Sequence, residues 1–183
     1  MLDSQLIILI SGEILKALQM GFPAFGPTEI AQKAQPTNEG VPSDPTVFFE
    51  KLFDLPRHWP IIGFQKSTPE VDFSESAKQL YETTFQISAL RWQDPESLVV
   101  YTASDLLNYV YMYFQLKSVR DGLIKQGVNV LKVNEIRNPY FQNDRHQFEA
   151  HPSVDIVFTH MRTMEILIPA ITSATGESYP LVE

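Results

Sequence analysis

The chain has 183 residues, no cysteine, 13 prolines, 8 glycines and a net charge of −8. That length suits one core, and 44% hydrophobic against 20% charged residues excludes global disorder. The missing cysteines exclude disulfides, thiolate metal sites and a thiol nucleophile, and the acidic balance disfavours general nucleic-acid binding.

Residues 3–20 read as a helix, with Asp3 or Ser4 as cap and Gly21 past its end. Leu2, Leu6, Leu9, Ile10, Glu13 and Ala17 line one face, and Ile7, Ile14 and Leu18 widen the stripe, which predicts burial on more than one side. The run Leu6-Ile7-Ile8-Leu9-Ile10 is shorter than the about 20 residues a membrane span needs. No positive region precedes it, so it reads as a core helix of a cytoplasmic chain rather than a signal.

Residues 22–46 hold five prolines and are expected to form an extended proline-rich loop or arm, with two short helical turns within 28–35. Residues 47–55 alternate as a strand, and Ile61, Ile62 and Phe64 predict a short strand or a bent extension after Pro56 and Pro60. A polar stretch to Lys78 is followed by the clearest strand, residues 80–92. Thr102 with Asp105 three residues on opens a second long helix, expected to run to Lys125 and stop at Gly127. Residues 128–136 and 153–165 alternate as two more strands, with Ile166 to Pro169 closing the core and 137–151 as a loop.

This order predicts an α+β fold: a mainly antiparallel twisted sheet of four to five strands, packed by two long helices, with proline-rich arms. Residues 1–171 would form a single domain and 172–183 a C-terminal tail.

The chemistry-bearing motifs are absent. There is no phosphate-cradling glycine loop, nucleophile elbow or zinc-protease motif. His146 and His151 flank Glu149 in a loop, but their spacing matches no metal motif, and loop hydrogen bonding explains them more simply. His160 and Arg162 share a strand face, which fits a structural or interface role. The pair Asp72 and Glu75, and Glu50 with Asp54 on one sheet face, read as solvated acids rather than an acid–base pair. Arg91, Arg120, Lys125, Lys132, Arg137, Arg145 and Arg162 form no stripe with interleaved aromatics. The reading is therefore of a non-enzyme, with no catalytic residues, cofactor or metal. The candidate interface residues are aromatics beside prolines: Trp59, Tyr140 and Phe141.

The order of elements over residues 2–171 resembles the terminator, or tail-completion, proteins of tailed-bacteriophage necks. The resemblance rests on Val47-Phe48-Phe49-Glu50-Lys51, the strand over 81–92, Thr102-Ala103-Ser104-Asp105-Leu106-Leu107, and Val154-Asp155-Ile156-Val157-Phe158 after a proline-containing loop. It implies a structural virion protein, assembled in the host cytoplasm. It also implies a homo-oligomeric ring, usually of six, that ends the tail and meets connector, neck, tube or sheath proteins. Genome DNA would pass through the lumen without specific binding, and the negative charge would let it slide. No membrane is implied. The competing reading is a small-molecule-binding or regulatory α+β domain.

Overall fold

A computed structural model describes residues 1–32, 45–66, 72–91, 101–142 and 148–169. Its elements are α1 (Asp3–Gly21), β1 (Ile30–Gln32), β2 (Thr46–Lys66), β3 (Asp72–Leu90), α2 (Ala103–Tyr113), α3 (Lys117–Lys125), β4 (Val128–Val133), β5 (Tyr140–Gln142), β6 (Phe148–Ala150) and β7 (Ser153–Pro169). The fold is α+β. Its main sheet has the order β1-β2-β3-β7-β4, and β5 and β6 form a separate two-stranded ribbon.

The sheet is mixed rather than simply antiparallel, because β1 joins β2 in parallel while the other pairs run antiparallel. The prolines at 22–46 do not all form an arm. Pro27 opens a single 3-10 turn over Pro27–Glu29, and the next three residues become β1 instead of helical turns. Residues 33–44 and the expected tail at 172–183 lie outside the described residues. Pro56 and Pro60 sit inside β2, where β1 no longer pairs with it. An edge position tolerates proline because no ladder needs its missing N–H.

The second long helix is two helices. Leu116 takes an extended backbone (φ −63°, ψ 130°) between α2 and α3. The apolar stripe Leu107, Val110, Phe114 would continue onto Lys117, Ser118 and Asp121, so nothing apolar remains to hold a straight helix on the sheet. The chain turns instead and buries Leu123. The expected start is correct: the Thr102 hydroxyl accepts from Asp105 N at 3.2 Å, and Thr102 N donates to the Asp105 carboxylate at 2.7 Å. At α1 the expected cap is not made. Leu2 is the cap residue, with its N–H donating to Gln5 Oε1 at 3.0 Å, and Asp3 is engaged elsewhere.

The helices cover one sheet face. Leu6, Ile10 and Ile14 of α1 and Leu107 and Val110 of α2 are buried in one cluster with Val47, Phe85, Ile87, Ile156 and Phe158 of the sheet. Phe114 meets Phe158 edge-on at 5.5 Å, and Phe158 meets Phe85 at 5.9 Å. Burying each such ring contributes about 1.5–3 kcal/mol. Glu13, on the buried stripe of α1, accepts from the Tyr113 hydroxyl at 2.6 Å and pairs with Lys16 at 2.6 Å. Burial and that carboxylate hold the Tyr113 hydroxyl well above its ordinary pKa. The Gly21 Cα faces the Tyr109 ring so closely that a Cβ would lie 2.5 Å from it. Gly127, two residues past the end of α3, has a φ of +80°, which suits glycine.

Candidate functional site

Strands β2, β3 and β7 are 21, 19 and 17 residues long, well beyond the usual five or six. Their backbones stay paired through stretches that sequence reading divides or leaves as loop. The polar stretch before Lys78 is the first half of β3, and the extension after Pro60 is the second half of β2. The strand expected over 153–165 runs on to Pro169, whereas β4 stops at Val133.

Cover does not follow them outward. The strand β1 pairs only with Val47–Phe49, and β4 only with residues from Ile156 to His160. Beyond these points β2, β3 and β7 continue as a three-stranded arm. Residues in register share a face. On the side facing the helices, Ile62 aligns through Ala77 with Met164, and Phe64 aligns through Glu75 with Ile166. The far side carries Phe53, Leu55, Ile61, Met161 and Leu167. All these residues except Glu75 and Ala77, which are half-buried, are exposed, so Ile166 and Leu167 do not close the core as their sequence suggests. Apolar side chains clustered on exposed strands mark a contact surface.

Two irregularities shape β2. A register shift between Lys51 and Phe53 leaves Leu52 unpaired. It puts Glu50 opposite Gln86 and Asp54 opposite Thr83, hence on opposite faces. The expectation that Glu50 and Asp54 share a face fails for that reason. A second shift leaves His58, Trp59 and Pro60 between the pairs Arg57↔Leu80 and Ile61↔Lys78. His58 has a φ of +60°, and Trp59 is 91% exposed.

The displaced Asp54 helps build a charged knot where the arm leaves the body. Lys51 Nζ donates to Asp3 Oδ2 at 2.7 Å and to Asp54 Oδ2 at 2.5 Å. Arg162 donates to Asp3 and, at 2.8 Å, to Asp54 Oδ2, while its guanidinium lies 4.6 Å from the centre of the Tyr81 ring. The Thr83 hydroxyl donates to Asp54 Oδ1 at 2.6 Å. Its single hydrogen is thereby used, so in the 2.9 Å contact with His160 the ring Nε2–H must donate to Thr83. His160 is buried and its Nδ1 has no partner. Burial, followed by the Arg162 charge, pushes His160 below its ordinary pKa, with Asp54 offsetting part of the shift. Burial opposes the Asp54 charge, but the hydrogen bonds from Lys51 and Thr83 outweigh it and hold that carboxyl low. Burial likewise opposes the Lys51 charge, and Asp3 and Asp54 overcome it to raise its pKa. The knot ties α1 to β2, β3 and β7, and so fixes the root of the arm. His160 thus has a structural place, as its sequence position implied.

A cleft of about 380 Å³ lies beside the knot, between Leu2 at the start of α1 and Pro60, Tyr81 and Met164 of the arm. Among the described residues no group of three His, Cys, Asp or Glu side chains is placed to hold a metal ion. His146 lies outside those residues, and His151 precedes β7. No described helix is long and apolar enough to cross a membrane.

The three candidate interface aromatics lie on different elements. Trp59 stands on the arm, whereas Tyr140 and Phe141 belong to β5, paired with Ala150 and Glu149 of the separate ribbon. Sequence reading missed the rest of the arm surface, although Ile61, Ile62 and Phe64 carried a signal as apolar residues beside prolines.

The body is covered on one face, and the arm that continues it leaves apolar side chains exposed on both faces. Residues 5–170 match the family model described as E217 gateway protein gp29, and the chain belongs to that family. The match supports a phage head-to-tail connector protein of the virion. No curated protein matches the chain.

Proposed function

We propose that the chain is a ring subunit at the phage head–tail junction, joining connector and tail proteins while DNA passes through the ring. The arm carries this reading: three strands leave the core together and present apolar side chains on both faces. A subunit that closes a ring needs contact surfaces beyond those of its own core. The work is mechanical, and the family membership fits a structural rather than a catalytic protein. The net charge of −8 favours DNA sliding over DNA capture. The tail-terminator position belongs to this proposal, as do six-fold stoichiometry and the neck, tube or sheath partners.

Trp59 on the arm, and Tyr140 and Phe141 on the ribbon, are proposed contact residues. Sedimentation and negative-stain microscopy of the purified chain test the ring: a closed assembly is expected, and a monomer at all concentrations and with tail tubes present would reject it. Trp59→Ala should weaken assembly, since an interface anchor can contribute about 2 kcal/mol or more. Thermal stability of the subunit should barely change, because the side chain touches so little of its own fold.

A further inference from the structure

The basic residues look scattered in sequence, but residues 117–137 hold five Lys or Arg against two acids, and the remainder holds nine against twenty. The segment is therefore +3 and the rest of the chain −11. It folds as α3 and β4, at the opposite end of the sheet from β1. Two of its cations are used within the fold. Arg120 donates to the Val130 carbonyl at 2.6 Å, and Arg137 pairs with Asp155. Lys117 meets Asp121 at 2.5 Å. Lys125 and Lys132 are exposed, and neither has an acidic partner among the described residues.

Exposed apolar side chains occur on the same two elements as these lysines. Leu116 and Ile124 are eight residues apart, two helical turns along the face that holds Arg120. The Arg120 bond to the Val130 carbonyl ties α3 to β4, where Leu131 is left unpaired at a register shift and Lys132 aligns with Val157, and all three apolar residues are exposed. Two lysines without an acidic partner among the described residues are too few for a phosphate backbone, whose affinity grows with each neutralised charge. They suit a protein surface that is apolar and carries an acid.

The helix-facing side of the arm has that chemistry. Ile62, Phe64, Met164 and Ile166 surround Glu75, and Glu75 has no ion-pair partner among the described residues. We propose that this face of one copy's arm docks on the α3–β4 patch of a second copy, with Glu75 meeting Lys125 and Lys132. The proposal rests on the ring reading and names its interface. The two patches differ, so the contact is head-to-tail and propagates into a ring or a filament. Attraction is concentrated at this contact, between copies whose overall charge makes them repel.

A charge swap tests the proposal. Glu75→Lys alone, and Lys125→Glu with Lys132→Glu, should each raise the concentration for half-assembly roughly tenfold or more, with unchanged melting temperature. Mixing the two variants should restore assembly into alternating rings, because the arm of each variant then meets a patch of opposite charge, reversed at one contact and native at the next. The chain carrying all three changes should assemble into full rings. Assembly of the wild type that is indifferent to all these changes would overturn the docking and leave the ring intact. A monomeric wild type would overturn both. If the lysine variant lost retention of duplex DNA on a filter but kept its assembled mass, the patch would belong to nucleic acid and the docking would fall.

Discussion

The inner parts of β2, β3 and β7 carry α1 and α2 on one face and bury Val47, Phe85, Ile87, Ile156 and Phe158. The outer parts alternate in the same way, yet they leave Ile62, Phe64, Met164 and Ile166 in solvent. Backbone pairing runs through both, since β3 pairs with β7 from Ser88 to Asp72 without a shift. The difference is therefore one of cover and not of strand quality. A strand holds its register through hydrogen bonds and cross-strand pairs, but its apolar side chains contribute most only when something excludes water from them. Stability is invested in the inner half, and the outer half leaves its apolar area in solvent, as the proposed contact role requires.

Substitutions in the two halves should separate most sharply where the rings are largest. Phe158→Ala should cost about 3–5 kcal/mol, read as a loss of denaturation midpoint. Phe64→Ala should cost within about 0.5 kcal/mol in the subunit and act on assembly instead. Equal losses for both would erase the distinction between core and arm.

The junction should respond next. Asp54→Ala removes the acceptor shared by Lys51, Thr83 and Arg162. It is expected to cost about 1–3 kcal/mol and to speed hydrogen exchange at the arm root. Gly21→Ala tests the helix layer alone: a Cβ 2.5 Å from the Tyr109 ring forces that ring aside, for about 1 kcal/mol. The arm should not sense that change.

The smallest effect is a pH slope. His160 is held below its ordinary pKa, so the folded chain binds its proton less readily than the unfolded chain. Its contribution is complete above about 6.5 and is lost as pH falls from there through the folded value. Asp54, also depressed, adds a second loss only below about 4, as pH falls through its own folded value. Thermal melts from pH 8 to 5 should show a decline beginning near 6.5, and His160→Gln should flatten it while keeping a donor toward Thr83. A slope that persists in that variant would assign the proton to another group.

Local pattern reveals much of the body. The cap at Thr102, the wide stripe of α1 and the alternation around Phe85 follow from spacing alone, because each needs neighbours only a few residues away. The end of α2 was not read, and the helix was expected to run on to Lys125. The apolar stripe stops at Phe114, but no capping residue marks the break, since Leu116 has no side chain to satisfy a helix end. Glu50 and Asp54 were misplaced because one unpaired residue, Leu52, reverses every face after it. Trp59 stands exposed on the arm, but its neighbours there come from β3 and β7, some 20 and 100 positions along the chain.

Sequence by itself determined an acidic, cysteine-free α+β chain with a helix-covered strand core, because those properties depend on composition and short-range period. Tertiary structure alone decided where that cover ends. Alternation is the same in a strand beneath a helix and in a strand that projects past it. Only the lengths of β1 and β4, and the place where α1 is tied by Asp3, leave the outer half of β2, β3 and β7 as an arm.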